Sequence, residues 1–151
     1  MKAKENSKAT AVSRRTFAKS MSVLGAGVML GSRGVFAAGS DTIRVGLIGC
    51  GGRGTGAGII DCAQSSKGVE LVAMGDLFQD HLDAAPARIK ENLAKRDLPV
   101  DDIYKVKPDK MFVGFDAYEK VIACDVDMII LTTPPAFRPL HFRAAVDADK
   151  H

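Results

Sequence analysis

The sequence predicts an α/β protein built on a doubly wound parallel sheet. Between residues 41 and 151, short apolar runs alternate with helix-like stretches, strand then helix, four times over. That order yields right-handed crossovers on a parallel sheet. The runs are apolar at successive positions, as strands covered by helices on both faces are. The first run passes straight into a glycine-rich turn that opens a helix. At 151 residues, 46% apolar and 26% charged, the chain has a globular composition and room for one ordinary domain.

Residues 1–37 read as an address rather than as part of the fold. A basic, polar start leads into Ser13-Arg14-Arg15-Thr16-Phe17-Ala18-Lys19, then a weakly apolar run from Met21 to Gly31, then small residues around Ala37 and Ala38. This is the order of parts in a signal peptide. The apolar run is shorter than the ~20 residues a spanning helix needs, so no stable membrane span is expected. The paired arginines resemble the twin-arginine signal, which implies export of a folded protein to the periplasm or another extracytoplasmic space. Cleavage after Ala37 leaves 114 residues.

The formal charge of +3 belongs to this leader, which holds seven of the 21 basic residues opposed by Glu5 alone. The remainder carries 14 basic against 17 acidic residues, and a mildly acidic domain gives no electrostatic case for a nucleic-acid partner. Cys50, Cys62 and Cys124 are an odd number at wide spacing, with no C-x-x-C pair and no histidine at metal-ligand spacing. They make neither a disulfide framework nor a metal site and are expected as buried thiols.

The domain from residue 41 begins with a strand at Ile43–Ile48, followed by a helix over Thr55–Ala63 that Gly56 and Gly58 weaken. A second strand at Val69–Met74 ends at Gly75-Asp76. Leu82, Ala85, Ile89 and Leu93 recur at helical spacing in a helix from Gln79 to Lys95, which Pro86 is expected to bend or restart. Asp97 to Lys110, with two prolines and many charges, reads as a long loop. A third short strand at Met111–Val113 precedes a capping box, Asp116 to Glu119, and a helix through Ala123. The fourth strand, Asp127–Thr132, is apolar on both faces, and Pro139 opens a last helix towards Ala148.

Chemistry concentrates in Gly49-Cys50-Gly51-Gly52-Arg53-Gly54, a G-x-G-x-x-G set between strand and helix. Gly49 permits the tight turn, Gly51 lets a pyrophosphate approach the backbone, and Gly54 lets helix and strand pack closely. The diphosphate then meets free N–H groups at the positive end of the helix. This context makes the sheet Rossmann-type and the ligand a dinucleotide. Asp76, 22 residues after the last glycine, is placed to accept hydrogen bonds from the adenosine ribose. Its charge repels a 2′-phosphate and favours NAD, while Arg53 near the same ribose offsets that repulsion and keeps NADP open. Thr132-Thr133-Pro134-Pro135 ends the fourth strand, at the edge where open α/β sheets bind ligands.

Together, Ile48 through Gly54, Ala73 through Asp76, Asp127 through Pro135 and Ala144 through His151 resemble the N-terminal domain of the glucose-fructose oxidoreductase, inositol dehydrogenase and MocA family. The resemblance runs over essentially the whole chain after the leader. It implies an NAD(P)-dependent oxidoreductase that moves a hydride to or from a sugar or polyol-like substrate, with the Thr133-Pro134 turn beside the nicotinamide ribose. Family members often carry a histidine five residues after that threonine. Here Arg138 stands in that place and His141 three further on, and both are candidate cofactor-binding residues. Asp149 stands where the family usually has glycine before Lys150-His151.

The family continues into a fifth strand, a Glu-Lys-Pro motif whose lysine assists proton transfer, and a second, mostly β-sheet domain. None of these stands in the 151 residues. The chain is therefore expected to hold a cofactor site and no catalytic residue, as a sheet truncated after its fourth strand and helix. Its Met128–Leu131 edge is then exposed, and self-association into a homo-oligomer is expected. Two other functions share these features: an NAD-dependent glycosidase of related fold, and a non-catalytic nucleotide- or partner-binding module.

Overall fold

A computed structural model describes residues 42–151; the expected leader, residues 1–37, lies outside them. Four strands form one parallel sheet in the order β3-β2-β1-β4. They are β1 (Ile43–Ile48), β2 (Val69–Asp76), β3 (Met111–Val113) and β4 (Met128–Leu131). The chain steps outward from β1 to β3 and then crosses to the other side of β1, so the switch point lies between β1 and β4.

The helices are α1 (Ile59–Ser65), α2 (Gln79–Ala94), α3 (Val100–Ile103), α4 (Ala117–Ile122) and α5 (Arg138–Asp147). They cover both faces of the sheet, which is why it carries two apolar cores. Leu47, Leu71 and Met74 pack with Ile59 of α1 and with Leu82, Ile89 and Leu93 of α2. On the opposite face Ile48 and Ala73 pack with Val121 and Ile122 of α4 and Ala145 of α5. The doubly wound α/β fold expected from the strand and helix alternation is the one observed.

Several local expectations need correction. Pro86 does not break α2, which runs unbroken from Gln79 to Ala94 with Leu82, Ala85, Ile89 and Leu93 all buried. A proline costs a helix interior ~3 kcal/mol, and burying three large aliphatic side chains at ~1.5–3 kcal/mol each outweighs it. The stretch from Asp97 to Lys110 is not a plain loop. It holds α3, with Ile103 buried, a bridge between Leu71 and Tyr104, and a 3-10 turn at Pro108–Lys110. The capping box is absent, because the Asp116 carboxylate makes no cap hydrogen bond and instead pairs with Lys120 at 2.9 Å. Glu119 accepts the Tyr118 hydroxyl at 2.7 Å. Of the three thiols Cys50 is buried, whereas Cys62 and Cys124 are half-buried.

β4 is half-buried along its length rather than exposed. On its side away from β1, the Ile129 N–H donates to the His151 carbonyl at 2.7 Å and the His151 N–H donates to the Asp127 carbonyl at 3.1 Å. These two bonds straddle Met128 as a parallel ladder does.

The C-terminus of α5 explains the unusual residue at position 149. The Lys150 N–H bonds to the Ala145 carbonyl at 2.9 Å and the Asp149 N–H to the Val146 carbonyl at 3.0 Å, the two bonds of a Schellman motif. That motif needs a left-handed residue, and Asp149 supplies it with φ 53. Glycine adopts this conformation without the Cβ penalty. Asp149→Gly is therefore expected to stabilise the domain by about 0.5–1 kcal/mol, visible as a rise of several degrees in Tm.

At this same end of the sheet, Arg44 of β1 binds Asp127 at the foot of β4. Its N–H, Nε and Nη2 donate to the carboxylate at 2.8, 3.0 and 2.8 Å, and Asp125 pairs with Nη1. The hydrogen bonds from Arg44 hold the Asp127 carboxyl down at about 2. Its stabilising effect is thus present above the ordinary carboxylate range near ~3.9 and is lost as pH falls towards 2. Asp127→Asn should lower the urea midpoint at pH 6, and the gap from the natural chain should close by pH 2.

Candidate functional site

The glycine turn after β1 contains two kinds of glycine. Gly49 has φ +99, and a Cβ there would lie 2.8 Å from the Thr132 hydroxyl. A Cβ on Gly54 would overlap the Gly49 carbonyl oxygen and come within 2.7 Å of the same hydroxyl. Packing and backbone conformation thus demand glycine at both positions. The Thr132 side chain fastens this corner by donating to the Gly49 carbonyl at 2.6 Å, which ties the end of β4 to the turn. Gly51 and Gly52 differ, because nothing lies within 4 Å of where their Cβ atoms would stand. They border open space.

Helical backbone begins at Gly52, passes through a π-helical turn at Gly54–Gly58 and continues as α1. The first N–H groups of a helix have no intrahelical acceptor and sit at its positive end. Thr55 secures this mouth from within, its N–H and hydroxyl both donating to the Gly51 carbonyl at 3.0 Å. Asn92 of α2 donates to the Thr55 carbonyl at 3.1 Å, satisfying an acceptor in the widened turn.

Asp76 ends β2 and is 9% exposed. Its Oδ2 accepts the Cys50 N–H at 2.5 Å, and its Oδ1 accepts the Phe78 N–H at 3.0 Å and stands 3.3 Å from His81 Nδ1. One carboxylate therefore joins the glycine turn to the start of α2. Burial, and then the Asp76 charge, push the Cys50 thiol up to about 12. Cys50 is a protonated packing residue at neutral pH, not a nucleophile.

On the β4 side, Thr133 Oγ1 lies 3.2 Å from His141 Nδ1. The His141 ring stacks on Tyr118 at 4.3 Å between centroids and 25° between planes. Burial pushes His141 below its ordinary value, so the ring is neutral at pH 7. Arg138 is exposed and donates from Nε to the Thr133 carbonyl at 2.8 Å.

These parts surround a cavity of about 880 Å³ at the C-terminal ends of β1, β2 and β4. Cofactor sites occupy ~300–1,000 Å³. Gly49, Gly51, Gly52 and Arg53 line it on one side, Asp76 at the end of β2, and Thr133, Pro134 and His141 on the other. Cys50, Gly54 and Arg138 are not part of the wall: the first two pack behind the turn, and Arg138 braces the Thr133 backbone from outside. A second hollow of about 630 Å³, between the end of α1, the start of β2 and the Leu98-Pro99 turn, gathers none of the candidate residues. Among the described residues no group of three or more His, Cys, Asp or Glu is arranged to hold a metal, and no helix is long and apolar enough to cross a membrane.

Thr132 faces this cavity with the rest of its strand end, and so do Phe78, His81 and Tyr118, which nothing in the sequence had marked. Tyr118 was concealed by the capping-box reading of its neighbours. His81 lies five residues after Asp76, in the first turn of α2, a spacing with no motif attached.

No family model matches the chain, and no curated protein matches it. Solved structures do. The NAD(H)- and scyllo-inositol-bound crystal structure of scyllo-inositol dehydrogenase from Lactobacillus casei aligns at a TM-score of 0.51 with 19% identity, covering 73% of this chain and 26% of that one. The fold is shared. The apo form of the same enzyme aligns at 0.49 with 21% identity, over 73% of this chain and 27% of its own. This chain thus spans about a quarter of the dehydrogenase's length.

Proposed function

We propose that this chain is the nucleotide-binding part of an exported NAD(P)-dependent oxidoreductase that acts on a sugar or polyol-like substrate by hydride transfer. One observation carries the reading: Gly51 and Gly52 leave open space at the mouth of a helix, beside the acid that ends β2, at the switch point of a parallel sheet. A diphosphate fits there because no Cβ stands between it and the backbone N–H groups. Asp76 and Arg53 would meet the adenosine ribose, and Asp76 favours NAD over NADP. The Thr133-Pro134 turn would border the nicotinamide ribose, with the neutral His141 ring fixing the Thr133 hydroxyl. The nicotinamide, when bound, supplies the hydride chemistry; the chain's own residues bind, orient and exclude water.

The sugar or polyol class rests on the family resemblance and on the neighbouring dehydrogenase, whose structure holds scyllo-inositol and NAD(H). Titration calorimetry of the purified chain with NADH and NADPH tests the cofactor site. Saturable one-to-one binding is expected, and no heat with either dinucleotide at millimolar concentration removes the reading. Export rests on Arg14 and Arg15. Changing both to lysine should hold a leader-bearing reporter in the cytoplasm, as cell fractionation would report.

A further inference from the structure

The adenosine end of the cavity contains a titratable residue that neither the glycine turn nor Asp76 accounts for. His81 stands in the first turn of α2 with its Nδ1 3.3 Å from Asp76 Oδ1 and its side chain 43% exposed, and it forms part of the cavity wall. Phe78 meets its ring edge-on at 5.5 Å between centroids and restricts how far the imidazole can swing. The carboxylate beneath it is already committed on both oxygens, to the Cys50 and Phe78 N–H groups. These bonds hold Asp76 in place beside the ligand space. A neighbouring cation would offset its negative charge.

We propose that His81 sets discrimination at the 2′ position of the adenosine ribose, and does so according to pH. The inference rests on the cofactor site proposed above. An imidazole is the ordinary side chain whose charge changes between pH 5 and 8. When His81 is protonated it neutralises Asp76 and, with Arg53 on the glycine turn, gives a 2′-phosphate two cations to meet. When His81 is neutral the Asp76 carboxylate is unopposed on that side, and the phosphate, with about −1.5 to −2 charge at pH 7, is repelled.

The other charged or titratable groups facing this end are few. The Cys50 thiol behind Asp76 stays protonated. Asp80 neighbours His81 on α2. From α4, Asp116 is paired with Lys120 and Glu119 accepts the Tyr118 hydroxyl. An imidazole is thus the one side-chain type at this end whose charge ordinarily changes between pH 5 and 8, and the ligand's own 2′-phosphate adds a second ionisation near ~6.

The test measures NADH and NADPH dissociation constants by calorimetry on the full chain at pH 8 and pH 6, and follows their ratio. The ratio cancels whatever pH does to the part of the site common to both dinucleotides. In the natural chain the affinity for NADPH relative to NADH should rise about tenfold from pH 8 to pH 6, as placing one charge a few ångströms from another implies. In His81→Gln the rise should shrink to about twofold, left by partial protonation of the 2′-phosphate beside Asp76. In His81→Lys, which keeps a cation at both pH values, NADPH should already be favoured at pH 8. Thermal melting of each variant separates loss of fold from change in preference. A ratio that stays flat in the natural chain, or a full tenfold slope surviving in His81→Gln, overturns the role of His81 while leaving NADH binding intact. Failure of both dinucleotides to bind the natural chain overturns the cofactor site and this inference with it.

Discussion

Alanine at Gly54 is expected to destabilise the domain by about 3 kcal/mol or more, whereas alanine at Gly51, three residues earlier, is expected to leave stability within about 1 kcal/mol and to weaken NADH binding at least tenfold. The difference follows from what each new methyl group would meet. At position 54 it collides with the Gly49 carbonyl oxygen and the Thr132 hydroxyl. The first is backbone and the second is fastened to that backbone, so neither can move without moving the turn. At position 51 it meets nothing in the protein within 4 Å and instead fills the space assigned to the diphosphate. Against a total stability of ~5–15 kcal/mol, the first change consumes a large fraction and the second almost none. Urea denaturation and NADH calorimetry on both variants read the two effects separately. Undiminished NADH affinity in Gly51→Ala would mean that the open side of the turn does not face the dinucleotide.

The features legible in the sequence are those whose cause is local. The run Ile43–Ile48 followed by glycines announces both a buried strand and a turn that needs left-handed backbone, and Gly49 duly has φ +99. Alternation of strand and helix is enough to imply a parallel sheet, because a crossover must occupy the space between parallel neighbours. What stayed hidden depends on partners distant in the chain. Asp76 was legible as a strand-end acid at the right distance from the glycines. Its bond to Cys50, 26 residues away, was not, nor was its neighbour His81. The stack of His141 on Tyr118 joins α5 to α4, and nothing in the spacing of either helix announces it. Asp149 was readable only as a departure from a glycine, and its left-handed φ of 53 gives that departure its physical content. The capping box failed for a related reason. Asp116 could bond its own helix start or reach Lys120 one turn on, and the ion pair won.

Asp76→Ala should be the second severe substitution, lowering stability by about 1–3 kcal/mol and abolishing measurable NADH binding. Removing the carboxylate orphans the Cys50 N–H, in a residue with no exposed surface, while the Phe78 N–H, in an exposed residue, can turn to water. Each unsatisfied buried donor costs ~1–3 kcal/mol. The turn then loses its tie to α2, so the site loosens where the ribose and the diphosphate meet. Asp76→Asn separates shape from charge. Its amide oxygen can still accept one N–H, but its NH₂ group faces the other donor, so a loss intermediate between the natural chain and the alanine variant is expected. NADPH affinity relative to NADH should rise in the asparagine variant because no anion remains to repel the 2′-phosphate. Cys50 offers an internal check on that change of charge. Burial is the larger cause of its raised value and the Asp76 charge the smaller, so in Asp76→Asn the thiol should come down only part of the way towards its ordinary range. The Cys50 Cβ resonance followed by NMR against pH would show this. Equal stability of Asp76→Ala and the natural chain would mean that the carboxylate does not hold the turn, and the account of how the turn is fixed would have to rest on Thr132 alone.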